Sequence, residues 1–400
     1  MKPKIRFSSS NILYEEKTLS EISTINPKTN VPLEFEYVDL ESVSGTEMTN
    51  HRTEHKATAP SRAQRLAKKG DIFYQTVRPY QKNNYYFDMD DDNYVFSTGY
   101  AQIRPSIYGK YLFTLLQNDS FLKQVLDNCA GTSFPAINPS VLSRLSVRIC
   151  KDKQEQQAIA SYFTSLDSQI SASTSRLASL KQMKAASLQA MFPQEGETVP
   201  KIRFKGVEGE WKKVKLNSFA KRVTRKNSHL ESTLALTIAS AHGLVSQIDY
   251  FNNLVVGSNI RNYYLLKKGE FAYNKSYSNG YPFGSVKRLE RYEQGILSTL
   301  YITFSIDNSI SSDYLTHFFD TNLWHKEVAE RAAEGARNHG LLNIGANDFL
   351  DINIWKPESK SEQQAIASYF TSLDRQISLQ SQRLEKLKQI KSACLDKMFV

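Results

Sequence analysis

Two short stretches of this chain combine side chains able to read the edges of nucleobases. One holds Arg78, Tyr80, Gln81, Lys82, Asn83 and Asn84; the other holds Asn274, Lys275, Ser276, Tyr277, Ser278, Asn279 and Tyr281. Arg and Lys match the acceptors of guanine, and Asn and Gln match adenine. Both stretches are polar, mildly basic and interleaved with Tyr, with too few apolar residues for a core. The alternative for each is an ordinary solvated loop. Cations suited to phosphates stand nearby: Arg52, Lys56, Arg62, Arg65, Lys68 and Lys69 in one part of the chain, Arg222, Arg225 and Lys226 in another. Phosphate contacts position a protein without reading sequence, and such charge runs can equally be solvated faces. Arg337, in a Gly-flanked segment, could approach a nucleic acid or form a turn.

Other patterns do not support chemistry. His51-Arg52-Thr53-Glu54-His55 has the spacing of an inverted zinc-protease motif. Its polar surroundings and the nearby Pro60 argue against the packed helix that motif requires. Asp351 followed by Glu358-Ser359-Lys360 has the order of a metal-dependent nuclease site, but Ser359 is better used as a helix cap. The sequence has no GxxxxGK[ST] phosphate loop. It also has no Asn/Asp-Pro-Pro-Tyr tetrapeptide and no Gly-rich cofactor loop after a strand. The acidic run 88–93 lacks the Gly and Glu of a calcium loop. The expectation is a chain with no catalytic residue, no metal and no cofactor of its own.

Composition agrees. The chain has 400 residues, 40% hydrophobic and 23% charged, which suits two to four globular domains. Lys and Arg number 51 against 41 Asp and Glu, a net +10 that favours a polyanionic partner. Cys129, Cys150 and Cys394 are widely spaced and form no CxxC, which suits a reducing compartment. No apolar run is long enough for a membrane span and no secretory leader is visible, so a cytoplasmic protein is expected.

The elements that would position the polar stretches are announced by a duplication. EQQAIASYFTSLD occurs at 155–167 and again at 362–374, 207 residues later. PKIRF occurs at 3–7 and again at 200–204, 197 residues later, with Tyr14 matched by Trp211. The frame is duplicated and the filling differs. From Phe163 and from Phe370 apolar residues recur at intervals of three and four, predicting two long helices with a coiled-coil seam. Asp152 and Ser359 each precede a Glu by three residues, a capping-box spacing. Ser173, Gln380, Lys184 and Lys391 are polar positions in the seam, while Met183, Leu188, Ile390 and Leu395 widen the apolar stripe. Lys181, Lys184, Lys386 and Lys388 would serve solubility or docking. The interiors read as mixed α and β. Strands are predicted at 71–77, 145–149, 234–239, 263–266, 271–273 and 300–304, and helices at 109–128 and 313–333.

In this order, the motifs resemble the specificity subunit of type I restriction–modification systems. Glu155-Gln156 with Ile159 and Asp167, and Glu362-Gln363 with Ile366 and Asp374, look like that family's repeated helix signature. Lys69-Gly70-Asp71-Ile72, Ser97-Thr98-Gly99-Tyr100, Gly131-Thr132-Ser133 and Pro135-Ala136-Ile137-Asn138 look like its target-recognition domain. Lys268-Gly269-Glu270-Phe271-Ala272-Tyr273-Asn274 and Ser298-Thr299-Leu300-Tyr301 hold the corresponding places in the second unit, with Glu270 where Asp is commoner.

The resemblance implies an α+β fold with a pseudo-twofold internal repeat. Two globular target-recognition domains, 1–151 and 200–358, would be joined by two long helices, 152–193 and 359–400, packed as an antiparallel coiled coil, with a linker at 194–199. Each domain would read one half of a split, asymmetric site in double-stranded DNA. The chain would catalyse nothing. It would dock two adenine-N6 methyltransferase subunits, with restriction subunits joining through them. S-adenosylmethionine, ATP and Mg2+ would belong to those partners. Glu155, Gln156, Tyr162 and Phe163, with Glu362, Gln363, Tyr369 and Phe370, are candidates for the docking surface; their identity could instead reflect recent duplication.

Overall fold

Apolar residues at intervals of three and four produce two helices, Lys153–Ala190 of 38 residues and Lys360–Met398 of 39. At their starts the Asp152 carboxylate accepts the Gln154 N–H at 2.7 Å and Ser359 Oγ accepts the Glu362 N–H at 3.4 Å. These caps satisfy donors that a helix start leaves open. Leu166, Leu180, Leu373 and Leu384 are buried along the seam, while Met183 and Ile390 beside it stay exposed. The computed structural model describes residues 4–7, 14–239, 243–253, 259–278, 280–332 and 342–399.

The chain forms two compact units, Met1–Ser175 with Ser381–Val400, and Arg176–Gln380. Each long helix gives its first part to one unit and its last part to the other, so each unit holds a pair of helix segments. Within each unit the pair runs antiparallel. In the first unit, Tyr162 Oη lies 3.4 Å from Cys394 Sγ and Asp167 pairs with Lys391 at 2.6 Å. In the second, Ser187 Oγ lies 2.9 Å from Tyr369 Oη and Lys184 pairs with Asp374 at 2.7 Å.

The first unit carries two four-stranded sheets. One has the order Arg52–His55, Glu34–Val38, Tyr94–Ser97, Ala63–Leu66; the other Ser23–Ile25, Tyr100–Pro105, Ile72–Gln75, Tyr85–Tyr86. In the second unit the sheet Ala220–Arg222, Ile302–Ile306, Phe271–Asn274, Ser285–Arg288 holds the corresponding strand, and three two-stranded ladders accompany it. Where the sequence predicts single helices at 109–128 and 313–333, each breaks into two: Gly109–Leu116 and Asp119–Asp127, then Ser312–Phe318 and His325–Arg331. The first break is made by Asn118, whose carboxamide accepts the Ser120 N–H at 2.7 Å and donates to the Leu395 carbonyl at 2.8 Å. That amide competes with the helix for the same donors.

The duplicated segments meet each other in both units. The Ile5 N–H bonds the Lys397 carbonyl at 3.2 Å, and the Ile202 N–H bonds the Ala190 carbonyl at 2.9 Å. Each PKIRF copy thereby satisfies a carbonyl at the C-terminal end of one long helix. It also reaches the N-terminal end of the other. The Phe7 N–H bonds Glu155 Oε1 at 3.2 Å, and the Arg203 guanidinium grips both oxygens of Glu362 at 2.9 and 2.8 Å. Behind each helix end lies an aromatic at the matching place. Phe399 packs on Tyr111 and Phe163; Phe192 packs on Tyr314 and Phe370.

Candidate nucleic-acid interface

The strands bearing the polar stretches begin in the same way. Gly70 and Gly269 turn with φ of +94° and +87°, left-handed values that favour glycine. The Asp71 carboxylate accepts the Lys68 N–H at 2.9 Å and the Glu270 carboxylate accepts the Lys267 N–H at 2.7 Å. Asp71 is paired with Arg104 and takes a Gln102 amide, whereas Glu270 is paired with Arg225. The longer Glu keeps the turn and draws its cation from Arg225, beyond the strand Ala220–Arg222.

The loop after the first strand is a single 3-10 turn, Pro79–Gln81, flanked by Arg78 and Lys82 in the left-handed region, with φ of +52° and +54°. Left-handed backbone costs a non-Gly residue ~1–2 kcal/mol, so the surrounding bonds must hold it. Tyr80 is 51% exposed and Gln81 is also open. The Arg78 guanidinium lies over the exposed Phe134 ring, 4.5 Å from its centroid. Lys82 is paired with Asp119. Asn83 accepts the Gly45 N–H at 2.9 Å. Asn84 corrects the sequence reading: it is 2% exposed, and its carboxamide accepts the Gln75 N–H at 2.8 Å, so it builds the loop from inside and has no surface for a base.

In the second loop Tyr277 is 63% exposed. The Asn274 carboxamide accepts the Ser276 N–H at 3.0 Å, and the Lys275 carbonyl accepts the Leu342 N–H. Ser278 and Tyr281 form a bridge across the turn. Asn279 and Arg337 lie outside the described residues.

The phosphate candidates separate into two groups. Arg62 and Lys68 are exposed. Arg222 is exposed and its Nη2 donates to Tyr264 Oη at 3.4 Å. The others, apart from Arg65, are engaged within the chain. Arg52 pairs with Asp39 and Glu54 and lies over the Tyr37 ring. Lys69 pairs with Asp90, Lys56 donates to the Val31 carbonyl at 3.1 Å, and Lys226 lies over Tyr264 while donating to the Asn262 carbonyl. Arg225 serves Glu270. Burial lowers the Arg65 guanidinium below its usual value, and its Nε is buried without a partner. For all of these but Arg65 a phosphate would have to displace a partner already in place.

The docking candidates also need correction. Glu155, Gln156, Phe163, Glu362, Gln363 and Phe370 are buried. Gln156 accepts the Tyr108 N–H at 3.3 Å and donates to the Cys150 carbonyl at 2.6 Å; Gln363 accepts the Ser311 N–H at 2.8 Å and donates to the Pro357 carbonyl at 3.0 Å. Each glutamine bolts its helix to the N-terminal end of a domain helix. Tyr162 and Tyr369 are half-buried and occupied by Cys394 and Ser187. The identical letters therefore encode internal bolts. Sequence reasoning did not foresee Gln75 and Phe134 in the first loop; a lone Gln closing the apolar strand 72–75 was the available signal.

The inverted zinc-protease spacing falls on a strand, Arg52–His55, and not on a helix. His51 lies beside a strand that includes His55; His51 pairs with Glu36 and His55 with Glu34. Four residues of extended chain separate them by roughly 13 Å. Among the described residues, His317, Asp320 and Asp374 do come together. The Lys184 ammonium already stands 2.9 Å from Asp320 and 2.7 Å from Asp374, and Lys287 is 2.9 Å from Asp320. Burial raises the Asp320 carboxyl, but Lys287, His317 and Lys184 outweigh it and hold it well below the usual carboxylate range.

Comparison with known proteins places this geometry. The model of the type I restriction modification DNA specificity domain matches residues 11–182. The specificity subunit of the HindI type I restriction enzyme of Haemophilus influenzae is 34% identical over 139 residues, 33% of this chain and 30% of that protein. The matched region thus spans about a third of that relative. A crystal structure of a type I restriction-modification S subunit from M. genitalium superposes with a TM-score of 0.65 at 15% identity, covering 100% of this chain and 99% of that one. A chain from a study of assembly and conformational transition of the type I R-M system gives a TM-score of 0.54 at 18% identity, covering 97% and 98%. Residues 11–182 thus carry a type I restriction modification DNA specificity domain, and the chain as a whole has the fold of the type I specificity subunits, the family its repeated motifs resemble.

Proposed function

We propose that this chain is the non-catalytic specificity subunit of a type I restriction–modification complex. Each unit reads one half of a bipartite, asymmetric sequence in double-stranded DNA, and bases between the halves go unread. The observation that carries this is the contrast within the repeat. The bolts at Gln156 and Gln363 make the same bonds, while the loops at 78–84 and 274–281 differ in sequence, length and fastening. Two copies of one holder with two different polar, Tyr-bearing loops suit two different half-sites.

In this reading Arg78, Tyr80, Gln81, Lys275, Ser276 and Tyr277 meet bases, and Arg62, Lys68 and Arg222 meet phosphates. Two adenine-N6 methyltransferase subunits dock on the chain and restriction subunits join them. S-adenosylmethionine, ATP and Mg2+ act in those partners, in the cytoplasm; no described helix is long and apolar enough to cross a membrane. With the EQ residues buried, docking falls to exposed helix residues such as Met183 and Ile390, which repeat at the 207-residue offset. The test is adenine-N6 methylation mapping in cells with the gene present and deleted. Deletion should erase methylation at one split motif. A methylome unchanged in cells shown to express active methyltransferase would refute the proposal.

A further inference from the structure

The first unit hides a glutamine where an aliphatic side chain would fill the core. Gln75 ends the strand Ile72–Gln75, is 1% exposed, and lies beneath the 78–84 loop. Burying a carboxamide is unfavourable unless its donors and acceptors are paired. Here they are paired with the loop. Gln75 Nε2 donates to Gln81 Oε1 at 2.8 Å, its Oε1 accepts the Asn83 N–H at 3.1 Å, and its own N–H is taken by the Asn84 carboxamide at 2.8 Å. Three loop positions, 81, 83 and 84, thus converge on one side chain and its backbone. The loop they hold contains two left-handed non-Gly residues, and such backbone persists only where the surroundings over-determine it.

We infer that Gln75 is a positioning residue for base recognition by the first unit, setting the orientation of Gln81 and the path that presents Arg78 and Tyr80. This inference rests on the DNA-reading function proposed above. A loop pinned at one end of its central side chain has less freedom to lose on meeting DNA. The Gln75 bond fixes the exposed Gln81 carboxamide through one lone pair of its oxygen. So held, the Gln81 amide would meet a base edge. In the second unit the corresponding strand ends at Asn274, whose shorter carboxamide accepts the Ser276 N–H within its own loop, so the device differs between the two units.

The experiment compares methylomes of cells carrying the whole complex with wild-type chain, Gln75→Met, Gln81→Ala and Arg78→Ala. Arg78→Ala identifies which block of the split motif the first unit reads. Gln75→Met, close to an isostere, should relax base preference in that same block by tenfold or more and leave the other block unchanged. Gln81→Ala should relax it too, and being exposed it tests the link even where Gln75→Met lowers the yield of folded chain. Unaltered preference in both variants, with Arg78→Ala still changing its block, overturns the inference and leaves the DNA-reading function standing. Absence of any methylation dependent on the wild-type chain overturns both.

Discussion

The two loops are fastened from different directions. The loop at 78–84 is held from beneath by a buried carboxamide of its own sheet, whereas the loop at 274–281 is tied sideways, through Lys275, to residues 342 and 344 far along the chain. The holders beneath them share the Gly turns and the Gln156 and Gln363 bolts, and differ in the partners of Asp71 and Glu270 and of Glu155 and Glu362. A duplicated sequence thus keeps how each loop is mounted and leaves open how the loop is shaped.

The comparison can be broken most severely at the mount of the second unit. Glu362 is buried, gripped by Arg203 and bonded by Trp211 Nε1 at 3.2 Å. Glu362→Gln leaves the Arg203 guanidinium without its charge partner, and urea unfolding should show a loss of about 3–5 kcal/mol. A loss below about 1 kcal/mol would mean the bolt is ornamental.

Next is the seam, where the units differ in charge. Among the described residues Lys391 pairs with Asp167, while Lys184 joins Lys287, His317, Asp320 and Asp374. Asp320→Asn should cost about 3 kcal/mol at pH 7. The folded carboxyl of Asp320 is held below its unfolded value, so its contribution is complete above about pH 4 and shrinks as the pH falls further. Thermal unfolding of wild type and variant should therefore converge toward low pH. Divergence there would invert the assigned sign.

Smaller effects sharpen the likeness. Gln156→Ala and Gln363→Ala should each cost about 2 kcal/mol, because each leaves a buried carbonyl and a partly buried N–H unpaired. The two losses should agree within about 1 kcal/mol if the mounts are equivalent, as paired denaturation curves would show. Smallest is the phosphate layer. Arg62→Ala and Lys68→Ala should weaken DNA binding for all sequences alike and lower the slope of log affinity against log salt by about one each. Arg52→Ala, whose cation is engaged by Asp39 and Glu54, should leave that slope unchanged.

Much of the fold is legible in the sequence because its signals are local. The helix starts at Asp152 and Ser359, the seam and the strands around 72–75 and 271–274 follow from periodicity and capping. The break at Asn118 is not legible there because its partner, Leu395, stands far away in the chain. The loops were found by composition, but not which side chains face outward. Asn84 and Arg52 have the residue types of readers and phosphate binders, and only their long-range partners, Gln75 and Asp39, show them to be fasteners. The same applies to the EQ copies, whose identity in both units records an internal bond.

The most direct measurement is the exchange of one loop. Residues 78–84 are replaced by the equivalent loop of a subunit with a different target, and adenine-N6 methylation is mapped across the genome. The account predicts a new split motif in which one block has changed and the other is intact. A motif changed in both blocks, or in neither while methylation persists, would contradict it.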